Sequence, residues 1–151
     1  MLITSHANPA VVAARKLLTP KERKATGLFL AEGLKAVGQA MDSSFEITQL
    51  FWSEAVMVSG FGRSLLERAQ AHGIPTTQLS ADVFSSLSRK DDPQGIAAVV
   101  RQKWSGVLDL LANNTGKIAA LVSVQNPGNL GTVLRTCDAT GTTGLILLDE
   151  S

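Results

Sequence analysis

The 151-residue chain holds one cysteine, two histidines, five phenylalanines, two tryptophans and no tyrosine. Cys137, being alone, forms no intramolecular disulfide, which points to a reducing compartment such as the cytoplasm. His6, His72 and one thiol do not make a structural zinc site, so no metal is expected. Aromatics at 5% argue against a binder that stacks a single strand on a row of rings. No apolar run approaches the roughly 20 residues a membrane span requires. The opening MLITSHANPAVVAARKL lacks a basic segment followed by an apolar one, so no secretory leader is expected.

What is present describes a globular chain. Hydrophobic residues at 44% and charged residues at 18% supply enough apolar material for a core. The net charge of +1 conceals an asymmetry. Residues 1–41 carry six basic side chains (Arg15, Lys16, Lys21, Arg23, Lys24 and Lys35) against Glu22 and Glu32, a net of +4. The other 110 residues hold eight basic and eleven acidic side chains, a net of −3. A basic N-terminal part suits a polyanionic partner; a solvated helix face reads the same way on charge alone.

Local signals alternate along residues 1–101. Asn8-Pro9 predicts a helix cap and first helical position ahead of AVVAARKLL, and Thr19-Pro20 repeats the signal ahead of KERKAT, which Gly27 ends. LFLAEG, FEITQLFWS, IPTTQLS and GIAAVVRQ read as strands. LKAVGQAMD after Gly33, RSLLERAQAHG and ADVFSSLS read as helices, the last opened by a Ser or Asp cap. Strands alternating with helices indicate an α/β layer structure. Phe29, Phe51 and Trp52 lie in strand-like runs and are core candidates. Glu32 reads first as a helix-start carboxylate, with a role in orienting RNA or a nearby backbone amide as the alternative. Lys90, Asp91 and Asp92 form a polar turn before Pro93.

Residues 102–117 read as a linker containing a short helix, after which the pattern changes. IAALVSV is a continuous apolar run, the mark of a strand buried on both faces of a parallel sheet. NPGNLG is a turn-rich loop, TVLRTCDATG a helix and TGLILLDES a second strand, together one βαβ unit. Such a loop offers helix N-terminal N–H groups to an anion. It has neither the Gly-Lys-Ser/Thr of a P-loop nor the GxGxxG of a dinucleotide fold. Asn126 and Asn129 bring amides to its mouth, with Gly128 and Gly131 between and after them. Arg135 stands in a helix of otherwise small and apolar residues. A guanidinium there suits a phosphodiester; an exposed arginine, or one paired with Asp138, fits the spacing equally. Cys137 reads as a small buried residue rather than a nucleophile.

The segment from Ala120 to Asp149, centred on NPGNLGTVLRTCDATG, resembles the first motif of SpoU/TrmH-family RNA ribose 2′-O-methyltransferases. Asn126, Gly128, Asn129, Gly131, Arg135, Ala139 and Gly141 all match the motif. ITSHANP (3–9), RKLLTPKERKATGLFLAEG (15–33) and LSRKDDPQGIAAVV (87–100) resemble the substrate-binding domain found ahead of it. The resemblance implies a small α/β RNA-binding domain over 1–101, similar in fold to a ribosomal protein. A linker at 102–117 then leads to 118–151, the beginning of a SPOUT (trefoil-knot) domain as an incomplete parallel βαβ unit.

It further implies methyl transfer from S-adenosylmethionine to a ribose 2′-hydroxyl, with ribosomal RNA favoured over transfer RNA. Arg135 would help activate the hydroxyl together with an RNA phosphate, and Asn126 would shape the site. Arg15, Lys16, Lys21, Arg23 and Lys24 would contact RNA phosphates. The family's Gly-Pro-Glu and Leu-Asn-x-Ser segments, which build the cofactor pocket and much of the homodimer, do not occur in these 151 residues. The chain is therefore expected to be a truncated piece, inactive alone. Two other readings stay open: a non-catalytic RNA-binding module, and an α/β protein whose sheet edge docks another chain.

Overall fold

A computed structural model of the chain describes residues 1–113 and 115–149; Asn114 of the expected linker and residues 150–151 lie outside the described residues. The chain divides into two units, Met1–Lys103 and Trp104–Ser151.

The first unit contains β1 (Leu2–Ile3), α1 (Pro9–Lys16), α2 (Pro20–Thr26), β2 (Leu28–Glu32), α3 (Leu34–Asp42), β3 (Ile47–Trp52), α4 (Gly60–Ala71), β4 (Thr76–Leu79), α5 (Ala81–Ser85) and β5 (Ile96–Arg101). Its local starts and stops follow the side-chain chemistry. Asn8 accepts from the Ala10 and Val11 amides to open α1, and Thr19 accepts from Glu22 N to open α2, each with proline at the first helical position. Gly27, at φ +67°, closes α2 in the left-handed conformation. Ser59 and Ser80 cap α4 and α5.

The five strands form one mixed sheet in the order β1-β4-β3-β5-β2. β1, β4 and β3 run parallel, whereas β5 is antiparallel to both its neighbours, β3 and β2. β5 shows why this sheet needs helices on both faces. Its side chains alternate, with Ile96, Ala98 and Val100 in one core and Ala97 and Val99 in the other. The first core packs these against Val37 and Ala40 of α3 and Leu65, Leu66 and Ala69 of α4. The second packs them against Val11 and Ala14 of α1, Val83 and Phe84 of α5, and Leu87. The result is a three-layer α/β/α arrangement. Phe51 is buried in the second core, while Phe29 and Trp52 pack partly buried on the first.

The second unit contains α6 (Val107–Asn113), β6 (Lys117–Val122), α7 (Pro127–Ala139) and β7 (Thr142–Leu148). β6 and β7 pair in parallel, from Lys117 beside Thr142 to Val122 beside Leu148. The expectation that β6 is buried on both faces is not met in this unit. Lys117, Ala120 and Val122 are exposed, Val122 by 60%. Two strands and one crossover helix cover only one face of so small a sheet, whatever the hydrophobicity of the run.

Candidate functional site

The basic stretch separates by role once its side chains are placed. Arg15 Nη2 donates to the His6 carbonyl at 3.0 Å, and His6 Nε2 lies 2.7 Å from an Asp82 carboxylate oxygen. This ties the N-terminal loop between α1 and α5. Arg23 Nη1 donates to the Leu17 and Leu18 carbonyls, both at 3.1 Å. These carbonyls lie at the C-terminal end of α1, where the helix dipole is negative and oxygens lack helical partners. Arg23 therefore works as a C-terminal cap. Lys16, Lys21 and Lys24 are exposed.

Segments distant in sequence meet around Glu32, at the end of β2. Glu32 Oε1 accepts from Ser88 Oγ at 2.6 Å, and Oε2 accepts from the Arg89 amide at 3.4 Å. Glu32 is thus not a helix-start carboxylate; it orients a hydroxyl and a backbone amide of the 88–93 turn. The start of α3 is capped instead by Gln94, whose Oε1 accepts from Leu34 N at 2.9 Å. Gly33 sits between at φ +94°, where an added Cβ would lie 2.7 Å from that Oε1. Only glycine fits this approach without displacing Gln94.

Arg89 completes the arrangement by donating from Nη2 to the Leu18 carbonyl, the same oxygen that accepts from Arg23. The two guanidinium groups converge on one carbonyl. They border a cleft of about 390 Å³ lined by Leu17, Leu18, Phe29, Leu30, Glu32 and Gln102 as well as both arginines. Ser88, Arg89 and Gln94 were absent from the candidate residues. Their signal was present only in the resemblance of the 87–100 segment, since no local pattern links Arg89 to Leu18 across 71 positions.

In the second unit, Asn126 caps α7. Its Oδ1 accepts from Gly128 N at 2.8 Å and Asn129 N at 3.3 Å, with Pro127 at the first helical position. This leaves its NH2 group to face other partners. Arg135 Nη2 donates to Thr132 Oγ1 at 3.0 Å, and that hydroxyl donates to the Gly128 carbonyl at 3.0 Å. Arg135 is thereby linked back along one helix stripe to the loop; among the described residues Asp138 does not hold it. Gly131 lies beneath this stripe, with Arg135 Nη1 3.5 Å from where its Cβ would stand. Asn129 is exposed, and Cys137 is half-buried.

The two non-glycine residues with positive φ among the described residues are Ser123 (+55°) and Asp149 (+59°). They follow the C-terminal ends of the paired strands β6 and β7. Each such residue costs about 1–2 kcal/mol, and such strain clusters at functional edges. The carboxyl ends of parallel strands are where α/β sheets place ligands.

The three-layer unit thus carries guanidinium groups around a cleft, and the βαβ unit a loop of exposed amides ahead of Arg135 in α7. Residues 8–98 match the MRM3-like substrate binding domain, and the chain belongs to that family. It is 34% identical over 147 residues to the 23S rRNA (guanosine(2553)-2′-O)-methyltransferase RlmP of Bacillus subtilis (strain 168), covering 97% of this chain and 54% of that protein. A 23S rRNA (adenosine(1067)-2′-O)-methyltransferase of Streptomyces azureus is 27% identical over 149 residues, covering 95% of this chain and 53% of that protein. Among solved structures, the AdoMet-bound rRNA methyltransferase from Sinorhizobium meliloti superposes with a TM-score of 0.82 at 33% identity, over 99% of this chain and 55% of that one. The chain spans about half the length of the relatives it matches. The substrate-binding domain expected from the 3–9, 15–33 and 87–100 segments is found.

The Sinorhizobium meliloti rRNA methyltransferase is bound to AdoMet, S-adenosylmethionine. The residues described here do not by themselves fit it. Every residue from Gln125 to Asn129 is exposed, so the loop encloses no adenine. The nearby charge offered is a guanidinium and a helix N-terminus, which suit a phosphate rather than a sulfonium.

Proposed function

We propose that this chain grips ribosomal RNA through residues 1–101 and contributes Arg135 to 2′-O-methylation of a ribose in that RNA. The reading places the protein in the cytoplasm with its substrate. The observation that carries it is the Arg135–Thr132–Gly128 chain of hydrogen bonds beside the amide-bearing loop of α7. A ribose hydroxyl is a poor nucleophile at neutral pH and requires stabilisation of the developing alkoxide. Arg135, permanently protonated, holds a neighbouring phosphate bidentately and stabilises negative charge on the attacking oxygen. It is too weak a base to take the proton itself. Asn126 fixes the loop against α7 and presents its NH2 group to the RNA. S-adenosylmethionine, where bound, would supply the methyl group.

The test is methyl transfer to ribosomal RNA by the protein expressed from its own gene, compared with its Arg135→Ala variant. A loss of about 10²-fold or more in turnover is expected, the scale on which one preorganised charge-stabilising group acts. Unchanged turnover would remove Arg135 from the mechanism. RNA binding without any methyl transfer by the natural protein would favour the non-catalytic binding module.

A further inference from the structure

The cleft between the end of α1, strand β2 and the 88–93 turn has a composition that neither a simple anion nor a simple apolar ligand explains. Its apolar floor comes from Leu17, Leu18 and Leu30, and Arg23, Arg89 and Glu32 line it beside them. At about 390 Å³ it falls in the range of sites for small molecules. Resting on the RNA-binding reading above, we propose that it receives one unstacked guanosine nucleotide of the RNA, its base on the apolar floor against Glu32 and its phosphate on Arg23 and Arg89.

Two like charges converge on a single oxygen in this cleft. Arg23 and Arg89 both donate to the Leu18 carbonyl, which brings their two positive charges to one side of the cleft at the end of α1. A phosphate neutralises two such neighbouring charges. Each guanidinium has five N–H donors, and the backbone bonds described occupy only some of them. The arginines alone would suit any phosphate.

The carboxylate makes the site selective. Glu32 is anchored by Ser88 at 2.6 Å through Oε1, while Oε2 takes only the long 3.4 Å bond from the Arg89 amide. An ionised carboxylate has about four acceptor positions, so capacity remains toward the cleft. A carboxylate lining a phosphate-only site would repel its ligand. Facing a base, it selects one with donors. Of the four bases, guanine alone presents a ring N–H and an adjacent amino group on one edge, matching two carboxylate oxygens. Adenine and cytosine present one amino group beside an acceptor, and uracil one N–H between two acceptors. Unstacked bases splayed onto apolar or guanidinium surfaces are the usual means of sequence-specific RNA recognition.

The test uses the whole chain and U-rich RNA hexamers carrying one guanosine, or inosine, which lacks the amino group. Fluorescence anisotropy should show the guanosine hexamer binding about tenfold more tightly, the scale of one good base contact. Backbone-amide NMR with guanosine 5′-monophosphate should shift residues around Leu18, Glu32 and Arg89, and inorganic phosphate alone should shift them less. Glu32→Gln should abolish the preference, and Arg89→Ala should weaken both hexamers while keeping it. Ser88→Ala, which loosens the turn but keeps the carboxylate, should retain it. The guanosine–inosine comparison needs no variant, so it decides the matter even if Glu32→Gln fails to fold. Equal binding of the two hexamers, shifts elsewhere, or full reproduction by phosphate would overturn the proposal. Salt-sensitive RNA binding without the preference would overturn the guanosine site and leave the broader RNA reading standing. Persistence of methyl transfer in Arg135→Ala would remove Arg135 from the mechanism and leave the guanosine site standing.

Discussion

Glu32 and Ser88, separated by 56 positions, are joined by a 2.6 Å hydrogen bond that fastens the 88–93 turn to the end of β2. Ser88 also accepts from the Lys90 amide at 2.9 Å, so one hydroxyl organises both sides of the turn. Ser88→Ala should cost about 1.5 kcal/mol, at the low end for a bond to a charged group because the pair is only partly buried. Urea unfolding gives the total, and amide exchange should quicken at Arg89 and Lys90 ahead of the sheet. Unchanged protection there would mean the turn is held by something else.

Gly95 and Gly27 separate two costs that are usually confounded. Both have positive φ, +71° and +67°. A Cβ at Gly27 meets nothing within 4 Å, whereas at Gly95 it would stand 2.5 Å from the Met57 nitrogen. Gly27→Ala should cost about 1–2 kcal/mol, the left-handed penalty alone. Gly95→Ala should cost at least about 2 kcal/mol more, because backbone rather than a mobile side chain must move. Similar unfolding midpoints for the two variants would show that the 53–57 turn yields easily.

The contrast between local and distant partners also explains what was legible in the sequence. Asn8, Thr19 and Ser80 cap helices that begin one residue later, so residue type and spacing suffice to find them. The strand runs at Leu28, Ile47, Thr76 and Ile96 were visible through their composition. β1 was not, since two residues make no pattern. Nor does composition alone disclose that β5 lies between β3 and β2. Glu32 was misread because its partner lies far along the chain, and the bonds from Arg23 to the Leu17 and Leu18 carbonyls were not foreseen. In both cases the residue type was informative and the partner was not. The continuous apolar run of β6 reported hydrophobicity correctly but not exposure, which depends on what lies over the strand.

Asn126 should reveal two roles when altered in different ways. Removing the cap with Asn126→Ala should destabilise α7 by about 0.5–2 kcal/mol. Asn126→Asp keeps an accepting oxygen and places negative charge at a helix start, so it should retain most of that stability. It lacks the NH2 group, however, and its charge repels RNA phosphate. In the natural protein, Asn126→Asp should therefore unfold much like wild type while methyl transfer falls. A variant active as wild type would confine Asn126 to capping.

The basic segment supplies the sharpest division between holding the fold and holding RNA. Lys16, Lys21 and Lys24 are exposed, whereas Arg15 and Arg23 are bonded to backbone carbonyls at 3.0 and 3.1 Å. If the lysines neutralise phosphates, each contact to a single strand adds about 0.7 to the slope of log affinity against log salt. Replacing all three with glutamine should lower that slope by about 2 and leave the unfolding midpoint unchanged. Arg23→Gln should behave differently. It strips partners from the Leu17 and Leu18 carbonyls, and should cost about 1 kcal/mol of stability. Arg23→Lys should restore only part, because an ammonium lacks the planar fork that meets the Leu17 and Leu18 carbonyls. A triple lysine variant whose salt slope matches wild type would place the phosphate contacts elsewhere on the unit. The arginines around the Glu32 cleft would then be the next cations to remove.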